Sequence, residues 1–179
     1  MHTKNKLPYY ILAGLLFLTL KWLFKTATTE DLLFLLGPSN KVVSIFTGQS
    51  FIYQIEEGFY YQELNIIIGK SCAGFNFFLL SMLMYSYSTI SVLKPKKSGI
   101  LIIPVAFLLA YPLTIFANAS RILGAIFIQQ KLDLHYDWLH EAEGVFVYLF
   151  FLIAFHLVLK PLGFNLFLTK IFTRDAQAA

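Results

Sequence analysis

The sequence predicts an all-α polytopic membrane protein with about four transmembrane helices, additional surface or re-entrant helices and a short outer β-hairpin. Three observations carry this reading. Of 179 residues, 58% are hydrophobic and only 13% charged, whereas soluble domains carry roughly 25% charged residues, and mean hydropathy is +0.67. Four apolar runs approach the ~20 residues that a helix needs to cross a hydrocarbon core: Leu7 to Phe24, Ala73 to Leu93, Gly99 to about Asn118 and Gly144 to Leu159. Charge is also distributed by side. No repeat, low-complexity stretch or linker divides the chain, so residues 1–179 are expected to form a single integral membrane domain.

The first run has the length of a signal peptide, but Lys21, Trp22 and Phe24 stand where small cleavage-site residues belong, so an uncleaved anchor is expected. Between Asp31 and Phe46, Gly37 and Pro38 interrupt a short apolar stretch, which reads as a surface or re-entrant pair of helices. The segment FIYQIEEGFYYQELNIII has β-prone, aromatic-rich stretches around Glu56, Glu57 and Gly58, consistent with a hairpin whose edge can take up an extended peptide. Tyr53, Phe59 and Tyr61 are its substrate-contact candidates, against the alternative that Tyr53, Phe59, Tyr60 and Tyr61 form an interfacial aromatic belt. The third run stays apolar through Pro112 and Arg121 as far as Ile128. About thirty residues cannot cross twice at ~20 per crossing, so one crossing and a short surface-lying or partly embedded helix are expected. Leu162 to Phe172 reads as an amphipathic helix on the cytoplasmic surface.

Lys and Arg near span ends stay cytoplasmic. In a four-span path Lys4, Lys6, Lys94, Lys96, Lys97 and Lys160 share one side with Lys170 and Arg174, and every acidic residue except Asp175 falls on the other. The net charge of +4 is therefore an inside-surface effect. The bilayer is the expected surrounding, and no nucleic-acid partner is implied.

This orientation brings three polar residues from distant parts of the chain to one membrane depth. Cys72 opens the second span from outside, Arg121 follows the outer end of the third, and His140 precedes the outer start of the fourth. Each has a plain alternative. Cys72, the single cysteine, can be a small buried hydrophobe; a helix start, Ser71 as N-cap and neighbouring Lys70 favour thiolate instead. Arg121 can be an interfacial snorkeler, but Asn118 lies three residues earlier on the same helical face, and Ala117, Gly124 and Ala125 permit close helix approach. His140 can be a solvated interfacial histidine or a catalytic one, with Gly144 one turn on letting a neighbour come close. Together a thiolate, an imidazole and a guanidinium are the parts for acyl transfer through a thioester, ending in hydrolysis or transpeptidation.

Two other readings stand beside it. His135, Asp137, His140 and Glu141 can supply ligands for a metal-dependent membrane hydrolase, although their spacing matches no defensible ligand pattern. A non-enzymatic helical assembly factor would use its polar residues only to join spans.

SCAG at Ser71 to Gly74, NASRI at Asn118 to Ile122 and HEAEG at His140 to Gly144, in that order and each at an outer span end, resemble the exosortase and archaeosortase family over roughly residues 53–160. The resemblance implies a polytopic membrane cysteine transpeptidase without a cofactor. Such an enzyme cuts the C-terminal sorting signal of exported proteins (short motif, transmembrane helix, basic cluster) at the outer face of the plasma membrane and passes the acyl group to an acceptor. It implies Cys72 as nucleophile with Arg121 and His140, supported by Gly74, Asn118 and Gly144 in the same motifs. Ala73 stands where the family often has serine. The additional helices of longer members are absent from the sequence, which resembles a short branch such as exosortase K. Substrate motif and acceptor do not carry over.

Overall fold

A computed structural model describes residues 6–92, 102–132 and 137–159. Helix α1, Leu7–Thr26, opens with a proline in its first turn, where the missing N–H has no helical partner to lose. It is apolar around its whole circumference, yet Ala13 is its one buried residue. Leu12, Leu15, Leu18 and Trp22 all face outward, a surface that lipid satisfies and water does not. Helix α3, Phe75–Val92, packs along it. Lys6 at the start of α1 donates to the Ser91 carbonyl at 2.7 Å, and Lys21 near its end donates to Asn76, so the two helices run antiparallel.

Between them the chain makes a 3-10 turn at Glu30–Leu32 and helix α2, Leu33–Thr47. Thr28 and Asp31 exchange hydrogen bonds in a reciprocal capping pair: the Asp31 carboxylate accepts from the Thr28 N–H at 2.8 Å, and the Asp31 N–H reaches the Thr28 hydroxyl at 3.3 Å. The expected break at Gly37–Pro38 is corrected, because α2 is one helix with Pro38 inside it. A proline deprives the carbonyl four residues back of its donor. Here that carbonyl belongs to Phe34, and the Tyr111 hydroxyl donates to it at 2.9 Å. Gly48, with φ +67, closes α2 in the left-handed conformation.

Where a hairpin is expected the chain forms a three-stranded antiparallel sheet in the order β1 (Ile52–Gln54), β2 (Gly58–Tyr61), β3 (Ile66–Ile68). Tyr53 pairs with Phe59, and Phe59 pairs in turn with Ile68. The sheet is tied down at two points. Tyr61 donates to the Asn40 side chain on α2 at 2.8 Å, and the Thr29 hydroxyl donates to the Glu56 carbonyl at 2.8 Å.

The third apolar run is corrected in the same way as α2. It forms one unbroken helix, α4, Ile102–Leu132, whose 31 residues reach about 46 Å at 1.5 Å per residue. Pro112 removes one hydrogen bond without ending the helix. Buried Ala106, Ala110, Leu113 and Ala117 recur at helical spacing on one face of α4, which packs against both α3 and α2. Small side chains allow this close approach, and close packing is what joins helices when lipid is as apolar as leucine. Helix α5, Asp137–Leu159, packs against α4. Of the described helices, α1 and the Ile103–Gln129 part of α4 are long and apolar enough to cross a membrane. Lys94 to Lys97 and the tail from Leu162 to Phe172 lie outside the described residues.

Candidate active site

The cysteine is positioned by two glycines before it and one after. A side chain on Gly58, which has φ +111, would fall on the Ile68 carbonyl, and one on Gly69 would fall on the Glu57 carbonyl. This bare backbone contact fixes how β3 leads into the 3-10 turn Lys70–Cys72, where the Cys72 N–H donates to the Gly69 carbonyl at 2.8 Å. Gly74 then turns left-handed, with φ +68, and its carbonyl accepts the Phe78 N–H at 2.9 Å. Helix α3 therefore begins at Phe75. Cys72 stands three residues ahead of it, and the expected N-cap role of Ser71 is corrected.

Lys70 is also placed differently from expectation. Its ammonium donates to the Ala27 carbonyl at 2.6 Å and the Lys25 carbonyl at 3.3 Å, and lies 5.3 Å from the Phe24 ring centroid. It closes the C-terminus of α1, where a cation meets the negative end of the helix dipole. The half-buried thiol of Cys72 lies 3.9 Å from the Ser71 hydroxyl.

The centre of the site is Asn118 on α4, which is fully buried. Its amide nitrogen donates to the Cys72 carbonyl at 2.7 Å and to the Ser39 hydroxyl on α2 at 3.3 Å. Its amide oxygen accepts the Tyr148 hydroxyl of α5 at 2.8 Å. Four segments thus meet on one side chain. A Cβ on Gly74 would lie 3.0 Å from the Asn118 Cγ, so that glycine supplies space as well as a left-handed turn.

One turn along α4, Arg121 is 9% exposed. Its guanidinium carbon lies 5.5 Å from the Tyr148 ring centroid, a cation–π arrangement. Its Cδ and Nη1 pack against Gly144, where a Cβ would come within 3.3 and 3.4 Å. Among the described residues Nε and Nη2 have no hydrogen-bond acceptor. Buried donors on a permanent cation are costly to leave unmatched.

His140 lies in the first turn of α5, one turn before Gly144 and two before Tyr148. That spacing puts the three positions along one face of the helix, and the latter two touch Arg121. The side chain of His140 lies outside the described residues, as does His135. Of the three aromatic residues expected to meet substrate, Tyr53 is exposed. Phe59 is buried, and Tyr61 is fully buried with its hydroxyl engaged by Asn40, so both serve packing. Sequence reasoning missed Ser39 and Tyr148. For Tyr148 a signal existed: it stands four residues after Gly144, on the face that the glycine opens.

The family model for transmembrane exosortase matches residues 23–158, a span that contains Cys72, Asn118, Arg121 and His140. No curated protein and no solved structure matches the chain.

Proposed function

We infer the activity from one premise: the chain belongs to the transmembrane exosortase family. That family is one of membrane cysteine proteases and transpeptidases. In our reading this protein cleaves the C-terminal sorting signal of exported proteins beside the outer leaflet of the plasma membrane and transfers the acyl group to an acceptor. The observation that carries the reading is the pair of buried Arg121 donors, Nε and Nη2, without an acceptor among the described residues. They sit one helical turn from the asparagine that holds the Cys72 carbonyl.

In this mechanism the Cys72 sulfur, as thiolate, attacks a peptide carbonyl carbon, and the carbonyl oxygen takes the negative charge. Donors fixed in advance where charge develops stabilise it without reorganisation, which is the role of Arg121. As the tetrahedral intermediate collapses, the C–N bond breaks, and His140 gives a proton to the departing amine. The acyl group remains on sulfur as a thioester. An acceptor amine or water, losing its proton to His140, then attacks the thioester and restores the thiolate.

Accumulation of uncleaved substrate, followed by its length on a gel, tests the reading. A Cys72→Ala protein that is stable and inserted should leave substrate uncut, and Cys72→Ser should stop cleavage or trap bound substrate. Normal processing by Cys72→Ala would return the chain to the assembly-factor reading.

A further inference from the structure

Tyr148 stands outside the three motifs, yet it touches both halves of the site. Its hydroxyl donates to the Asn118 oxygen at 2.8 Å, and its ring lies 5.5 Å from the Arg121 guanidinium carbon. The ring is itself stacked on Phe77 of α3, with centroids 4.6 Å apart and planes 22° from parallel. We propose that Tyr148 is a positioning residue of the thiol reaction: its hydroxyl fixes the Asn118 amide that holds the Cys72 carbonyl, and its ring seats the Arg121 guanidinium.

The chemistry of the amide carries the first half. An asparagine presents an acceptor on one side and two donors on the other, and rotating it by half a turn exchanges them. Here the donor side must face Cys72, because a carbonyl can only accept. The reversed amide would set its oxygen against the Cys72 oxygen. The Cys72 carbonyl sets that orientation, and in it the Tyr148 hydroxyl donates to the amide oxygen and holds the amide in place. Asn118 is fully buried, so without that hydroxyl its oxygen has no water to turn to, and a buried unsatisfied acceptor drives rearrangement. The second half follows from helix spacing. Gly144, one turn before Tyr148, leaves room for Cδ and Nη1 of Arg121, and the ring holds the cation from the next turn. One helix face thus registers the electrophile-binding cation with the backbone of the nucleophile.

The inference rests on the thioester reading, but its test does not. The full chain, purified in detergent, is treated with iodoacetamide, and the rate of Cys72 alkylation is followed across pH. Tyr148→Phe keeps the ring and removes only the hydroxyl. It should loosen the turn and speed alkylation about two- to tenfold, the range set by one net hydrogen bond. Asn118→Ala should change the rate in the same direction, and the double variant should exceed neither single variant by much, since groups acting in one chain are non-additive. Should Tyr148→Phe insert poorly, Phe77→Leu leaves the hydroxyl and unstacks the ring, and it should give a smaller change of the same sign. A wild-type rate and pH profile in the Tyr148→Phe protein, or in Phe77→Leu where that variant substitutes for it, overturns the proposal. So do fully additive effects of Tyr148→Phe and Asn118→Ala. Normal sorting by Cys72→Ala would overturn the thioester reading and with it any catalytic meaning of the contact, whereas the alkylation rates decide separately whether Tyr148 positions Cys72.

Discussion

The side chain of Arg121 packs against the bare backbone of Gly144, where a Cβ would stand 3.3 Å from Cδ and 3.4 Å from Nη1. Gly144 lies inside a helix, where alanine is intrinsically better than glycine by about 1 kcal/mol. Local propensity and the site therefore pull in opposite directions at this residue.

Gly144→Ala should separate them. The new methyl displaces the guanidinium by a few tenths of an ångström, and small misplacements in a reacting site are expensive in rate. Processing should fall about tenfold or more while the melting temperature in detergent holds or rises. A drop in melting temperature together with activity would mean that the glycine serves packing alone.

Asp31 gives a pH-dependent prediction. The N–H and hydroxyl of Thr28, with a smaller contribution from the Lys70 charge, hold its carboxyl below its ordinary value of 3.8. A lowered carboxyl contributes stability that is fully present above the unfolded value and is lost as pH falls through the folded value. Asp31→Asn should therefore melt below wild type at neutral pH, with the two curves converging once the pH drops under 3.8. Curves that stay parallel well below 3.8 would show that the capping pair owes nothing to ionisation.

Much of this fold is legible in composition, and what is not depends on partners far away in the chain. Helices α1 and α3 follow from apolar runs that end near the helices themselves. The unbroken α2 does not, because Pro38 is tolerated through Tyr111, whose hydroxyl reaches the stranded Phe34 carbonyl from 77 residues on. Likewise α4 continues through Pro112 on a buried small-residue face that only its neighbours explain. At the site, Asn118 and Gly144 are legible from spacing. Tyr148 is marked in the sequence only by its spacing from Gly144 within an aromatic, apolar run, and Tyr61 reads as an interfacial ring until Asn40 is seen beneath it.

The contact between Lys6 and the Ser91 carbonyl puts the start of α1 at the end of α3. If Lys and Arg near span ends remain cytoplasmic, Lys94 to Lys97 should lie on that same inner side. A reporter fused after Lys97 should then read cytoplasmic, and one fused at Leu134 should read external. The same side for both would remove the four-span topology and with it the common membrane depth of Cys72, Arg121 and His140.

The last expectation concerns what kind of cation the site needs. Arg121 offers two buried donors, Nε and Nη2, in a fixed plane, with no acceptor among the described residues. Lysine carries the same charge as a single ammonium on a flexible stem and cannot present that fork. If the role is to meet an oxyanion, removing the donors should lower kcat by about 10²–10³, as for a lost oxyanion-hole donor. KM should change little, because the interaction is made in the transition state. Arg121→Lys should then resemble Arg121→Ala. Adding either change to Cys72→Ser should cost little more, since residues that act in one step are not additive. Near-normal turnover by Arg121→Lys would show that charge alone suffices and would leave the planar arrangement above Tyr148 a matter of packing.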